Sequence, residues 1–219
     1  MGLLSNASIF ALMLMPVVLL AKGHHVEFGR LIALAALIAS CMIAESTLLA
    51  SLAGMSLPQH LVTVVVIPAV DTLLMNFVLT DAKARKVLRA HDAGDDAAAV
   101  VAALWTTVDL VLYRCFRWYR AIGGLGFDAE NLVSAAEAFV GLNARLLAAR
   151  CINGRGNNAG GGSATHNAWA SVLLLRVAMT AAGVALGSTL AGSVLFTAAL
   201  LLLQRLLRPP THDTGRKGD

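Results

Sequence analysis

Long apolar runs alternate with short polar breaks along this chain. Residues 8–21, 31–53, 61–80 and 169–207 are almost wholly apolar, and a bilayer core about 30 Å thick needs roughly 20 such residues per helical crossing. The run 8–21 is of marginal length and contains Pro16, which a membrane helix tolerates where neighbours satisfy the freed backbone groups. Runs 31–53 and 61–80 are joined by a short turn containing Pro58, and together they predict a hairpin. The run 169–207 exceeds one crossing, and its glycines Gly183, Gly187 and Gly192 offer either a close helix-packing face through Gly183-xxx-Gly187 or a hairpin turn.

Between the apolar ends lies a different pattern. Residues 81–124 open with Lys83, Arg85, Lys86 and Arg89, pass an acidic turn at Asp92, Asp95 and Asp96, and then take up helical spacing. At about 100° per residue, Trp105, Val108, Leu112, Cys115, Phe116 and Tyr119 share one face, and Tyr113, Arg114, Arg117 and Arg120 share the other. Such a helix can lie in a headgroup layer, rings in the acyl boundary and guanidiniums near phosphates. Equally, Trp118, Tyr119 and the arginines can anchor the end of a spanning segment. Residues 131–150 form a further amphipathic helix or weak span, and 153–167 is a glycine- and asparagine-rich loop.

Composition sharpens this picture. With 219 residues, 58% of them apolar and 14% charged, the chain is far from the soluble norm of about 25% charged, and a polytopic membrane protein is expected. The net charge of +4 suits basic loops facing anionic lipid rather than nucleic acid. Cys41, Cys115 and Cys151 lie in or beside apolar runs without the spacing of a disulfide framework or a metal motif. The first cation is Lys22, so the opening run lacks the basic start of a cleavable signal and is expected to remain as a membrane helix.

Most of the basic residues fall in 22–30, 83–89, 150–155 and 205–217, whereas the connections at 54–60 and 187–192 have none. Facing the basic segments to the cytosol makes 31–80 one hairpin and 169–207 another. Residues 97–150 then form a middle pair, and Arg114, Arg117 and Arg120 favour its lying shallow or interfacial. The expected fold is all-α: a multi-helix membrane bundle with two or more transmembrane hairpins and central amphipathic interfacial helices. Its parts are N-terminal membrane helices (1–80), a basic amphipathic region (81–152), the glycine/asparagine loop (153–168), a C-terminal span or hairpin (169–207) and a disordered tail (208–219).

Candidate chemistry is sparse. Glu45 and Asp71 sit within crossing runs and Arg176 lies inside the last one. Intramembrane carboxylates are costly and mark relays or ion paths by default. They can also lie near helix ends or pair across the hairpin, while Arg176 snorkels toward the loop. His24, His25 and Glu27 need a remote partner such as His60 to hold a metal, and no metal or cofactor is expected. No catalytic residue is assigned: there is no nucleophile–base–orienter set, HExxH, paired-cysteine motif or P-loop.

The run Arg85-Lys86-Val87-Leu88-Arg89, the segment Asp109-Leu110 through Arg117-Trp118, and the break Gly123-Gly124-Leu125 resemble the peroxin-11 family over about residues 83–150. The closer comparison is with the glycosomal integral membrane proteins related to it. The resemblance implies a multi-pass protein of the peroxisomal or glycosomal membrane that self-associates as a homo-oligomer, promotes membrane elongation and organelle fission, and recruits fission machinery. Lys83, Arg85, Lys86, Arg89, Arg114, Arg117, Trp118 and Arg120 would then contact anionic lipid, with Gly183 and Gly187 packing helices. A small channel or solute transporter using Glu45, Asp71 and Arg176 is the alternative, and an accessory subunit of a larger membrane complex is a third possibility.

Overall fold

The computed structural model describes residues 2–89, 96–115, 129–156 and 166–207. Among them every element is helical. Helix α1 is Gly2–Gly23, α2 Ile32–Ser51 and α3 Ser56–Thr80; a short α4 is Ala82–Val87. Helix α5 is Ala97–Asp109 and continues as a wider turn over Leu110–Arg114, followed by α6 Ala129–Gly156, α7 His166–Ala185 and α8 Thr189–Leu207. Six of these helices are long and apolar enough to cross a membrane, and the apolar stretch Thr189–Arg205 of α8 is slightly shorter.

Each long helix buries one stripe and exposes another. Leu34, Ile38 and Met42 of α2 recur every four residues and point into the main core, as a 3.6-residue period requires. Ile9, Met13 and Val17 of α1 repeat that spacing against Leu110, Ala135, Ala138 and Leu142 in a second cluster. The outward stripes are just as apolar: Leu19 is 65% exposed, Ile32 67%, Leu174 71% and Leu202 62%. So much exposed leucine and isoleucine is foreign to a water-facing surface and suits a lipid-facing one.

Helix α5 is the axis of the bundle. Every residue from Ala97 to Thr106 is buried, because the run Ala97-Ala98-Ala99 and Ala102-Ala103 lets neighbouring backbones approach closely. Its neighbours include α1, α2 and α6, and Val100, Val101, Leu104 and Trp105 join Met75 and Val78 of α3 and Ala148 and Ile152 of α6 in the main core. The shallow placement expected for this stretch is therefore not what the structure shows. The residues from Ala97 to Thr106 meet protein, and Arg114 finds carboxylates inside the bundle.

Two turns wind more widely than α. In α3 the segment Val62–Val66 lies just before Pro68, and the Ile67 N–H donates to the Val62 carbonyl five residues back. Proline removes one ladder donor, and a wide turn is one way a helix absorbs that loss. After Asp109 the segment Leu110–Arg114 does the same, with the Cys115 N–H donating to the Leu110 carbonyl.

The run 169–207 is a hairpin. Helix α7 ends with the Ser188 N–H donating to the Gly183 carbonyl and the Gly187 N–H to Val184, the paired bonds of a Schellman cap, and Gly187 takes the left-handed φ of +64° that such a cap needs. The Ser188 hydroxyl then accepts from the Ala191 N–H, 3.2 Å away, and starts α8. Gly183 packs on Gly192 of α8 so closely that a Cβ on Gly183 would lie 2.8 Å from the Gly192 Cα. The packing partner of Gly183 is thus Gly192 across the hairpin, and Gly187 is the turn residue, with open space where a Cβ would be.

Candidate functional site

The charged residues of the apolar helices converge inside the bundle. Asp71, on α3, is 7% exposed, and its carboxylate accepts from Arg176 Nη2 of α7. The two stand 105 residues apart in sequence. Arg176 is therefore held by a carboxylate in the bundle, where the sequence had suggested snorkelling toward the loop. Glu45, on α2, lies within coulombic reach of both, and its Oε1 is buried without a hydrogen-bond partner among the described residues.

A second ionic group is built on α5 and α6. Arg114 lies 3.4 Å from Asp109 Oδ2 and 3.6 Å from Glu137 Oε2, with side-chain exposure of 17%, 12% and 27% respectively. Its Nη1 also donates to the carbonyl and the hydroxyl of Ser134, both at 2.6 Å. Arg145, two turns beyond Glu137 on α6, donates to Thr106 Oγ1 at 3.3 Å and lies 3.7 Å from Asp109. Glu137 in turn accepts from the Thr189 hydroxyl at 2.6 Å, which ties α6 to the first turn of α8. Burying this many charges is tolerable only because each guanidinium has a carboxylate partner.

Between α3, α6, α7 and α8 these groups border a cavity of about 230 Å³. Arg145 and Arg176 line it together with the hydroxyls of Thr63, Thr180, Thr189 and Ser193. None of its lining residues is acidic; Asp71 and Asp109 hold the arginines from outside the lining. Gly141, Gly183 and Gly192 form part of its wall. The arrangement offers a small solute fixed positive charge and hydroxyl oxygens.

The remaining predicted residues lie elsewhere. Lys83, Lys86 and Arg89 are exposed on or just after α4, while Arg85 is half-buried with its Nε unpartnered among the described residues. Ala84 and Leu88 face inward between them, and the Asp81 carboxylate caps this helix by accepting from the Ala84 N–H at 2.7 Å. Arg117, Trp118, Arg120, the loop 157–165 and the tail 208–219 lie outside the described residues. His24 pairs with Asp96 at 3.0 Å, joining the end of α1 to the start of α5. Cys41 and Cys115 are each partly buried and form no disulfide among the described residues.

Sequence reasoning did not assign Asp109, Glu137, Arg145 or Thr106 to a site. Their signal was present: Asp109, Arg114, Glu137 and Arg145 are charges within stretches otherwise apolar enough to span, and such residues usually face a bundle interior. No family model, curated protein or solved structure matches this chain.

Proposed function

We propose that this chain is an integral membrane protein that carries small solutes across the bilayer through the interior of its helix bundle. The observation that supports this reading is the cavity bounded by Arg145 and Arg176, in a bundle whose outer surface is leucine-rich. A polar cavity at membrane depth stabilises nothing by itself, because each charge there carries a desolvation cost. Retaining it serves a solute. Asp71 and Arg176 set the electrostatics of the path, and Glu45 adds an unpartnered carboxylate oxygen beside them.

The placement of the connections agrees with this reading. Successive crossings by α1, α2, α3, α5, α6, α7 and α8 put 24–31 and 81–89 on one side and 52–55 and 186–188 on the other. The His24–Asp96 pair joins the first of these connections to the start of α5, and the Thr189–Glu137 contact joins two helices at the opposite end. Lys22, Arg30, Lys83, Arg85, Lys86 and Arg89 then share one face, as cytosolic orientation requires.

The test is flux. Full-length protein reconstituted in liposomes should release a panel of small solutes faster than protein-free vesicles, and Asp71→Asn with Arg176→Gln should reduce that release. Release equal to that from protein-free vesicles for every solute would sink the reading.

A membrane-shaping role at the peroxisome or glycosome, as implied by the peroxin-11 resemblance, has a narrower support. Lys83, Lys86 and Arg89 stand exposed without an ion pair among the described residues, and near anionic headgroups each is worth about 1 kcal/mol. Arg114, by contrast, is engaged by Asp109, Glu137 and Ser134. Tagging the protein beside a peroxisomal marker, and scoring organelle number and length after depletion, tests this role.

A further inference from the structure

We infer that the cavity between α3, α6, α7 and α8 binds a small carboxylate bearing a hydroxyl donor, held by Arg145 and Arg176. The inference rests on the transport reading and names the class of its solute.

Charge sets the first half of the ligand. Both guanidiniums line the cavity and no acidic residue does. Each guanidinium has five N–H donors. The contacts described use Nη2 of Arg176, on Asp71, and Nη1 of Arg145, on Thr106 and Asp109. Further donors remain on each, and a planar carboxylate is the group that a guanidinium fork matches best. An ammonium or other simple cation would face two fixed positive charges with no carboxylate on the wall.

The hydroxyls set the second half. Thr180 donates its hydrogen to the Arg176 carbonyl at 2.8 Å, Thr63 to Gln59 at 2.8 Å, Ser193 to Thr189 at 3.0 Å, and Thr189 to Glu137 at 2.6 Å. A hydroxyl that has given up its only hydrogen offers lone pairs alone. The hydroxyl lining therefore accepts, and a ligand that satisfies it brings an O–H of its own. The volume of about 230 Å³ admits a ligand of several heavy atoms.

Asp71 is the internal competitor. It occupies one edge of Arg176, so a carboxylate ligand shares or displaces that contact, and removing the Asp71 charge should tighten binding.

The experiment uses full-length protein in nanodiscs and radiolabelled glycolate as the probe. Saturable binding is expected, competed by unlabelled glycolate better than by acetate and not competed by ethanolamine. Arg145→Gln should weaken it at least tenfold and Asp71→Asn should strengthen it several-fold. Because Arg176→Gln alone strands the Asp71 charge, the paired Asp71→Asn/Arg176→Gln variant is the one to compare, and it should lose binding while eluting as the parent does. If Arg145→Gln misfolds, Arg145→Lys keeps the charge without the fork and should still weaken glycolate. Absence of saturable binding, competition by ethanolamine, or full binding in folded Arg145 variants overturns the inference. Flux of other solutes by the same preparation would leave the transport reading standing, and loss of all flux would remove both.

Discussion

Asp109 and Arg114 are five residues apart, yet their side chains meet at 3.4 Å on one helix face. In an α-helix five residues turn the chain through about 500°, leaving the pair some 140° apart. The i→i+5 bonding of Leu110–Arg114 widens that turn and brings residue 114 back over residue 109. The wide turn is thus what lets Arg114 reach Asp109, Ser134 and Glu137 together.

Asp109→Asn should deprive Arg114 and Arg145 of the carboxylate they share. Folded protein in detergent is then expected to lose about 3–5 kcal/mol, the cost of stranding buried charges, read as a lowered thermal midpoint. Arg114→Gln should cost a similar amount. A midpoint unchanged in both variants would show that the pairing contributes nothing.

At the α7–α8 hairpin, Gly183→Val should separate the two helices, because its Cβ meets the Gly192 backbone at 2.8 Å. Overpacking of this kind costs about 1–3 kcal/mol. Gly187→Ala meets no neighbour but imposes the left-handed φ on an L-residue, at about 1–2 kcal/mol. Limited proteolysis near 186–188 should quicken in both, and a disulfide engineered between α7 and α8 should form more slowly in Gly183→Val alone.

Topology is checked by labelling. In protein whose native cysteines are replaced, Leu57→Cys and Val87→Cys, both 74% exposed, should react with a membrane-impermeant maleimide from opposite sides of sealed vesicles. Reaction of both from the same side would break the alternation of crossings.

Glu45 is the residue whose change should touch function more than folding. Its Oε1 has no hydrogen-bond partner among the described residues, so Glu45→Gln removes a charge without breaking a described hydrogen bond. Solute flux should fall several-fold while the thermal midpoint holds or rises, since neutralising a carboxylate whose buried Oε1 has no hydrogen-bond partner among the described residues lowers a desolvation cost. Unaltered flux would place Glu45 outside the path.

Much of the helix layout was legible. Uninterrupted apolar runs can hardly be anything but membrane-length helices, whereas Gly183, Gly187 and Gly192 left a packing face and a hairpin turn equally open, and only the left-handed φ of Gly187 identifies the turn. The interior of α5 was not legible. Periodicity put Arg114 and Tyr113 on a polar face, but it cannot say whether that face meets headgroups or protein. Tyr113 donates to the Met42 carbonyl of α2 at 2.7 Å, and Arg114 binds Glu137 on α6. Both partners are remote in sequence, and the wide turn shifts the phase on which the face was drawn. The pairing of Asp71 with Arg176 was hidden for the same reason: each charge looked expensive alone, and only the fold brings them together.

The enclosure of α5 bears on how the chain is made. Its apolar window, 72% buried and carrying both Asp109 and Arg114, is poorly suited to stand by itself in acyl chains while the ribosome is still adding α6, α7 and α8. Its counter-charge at Glu137 and its ceiling of α6 side chains arrive only later in translation. Biogenesis then has an order: α5 waits in a sheltered place, at the insertion machinery or against α1 and α2, until α6 emerges and the two settle as a unit.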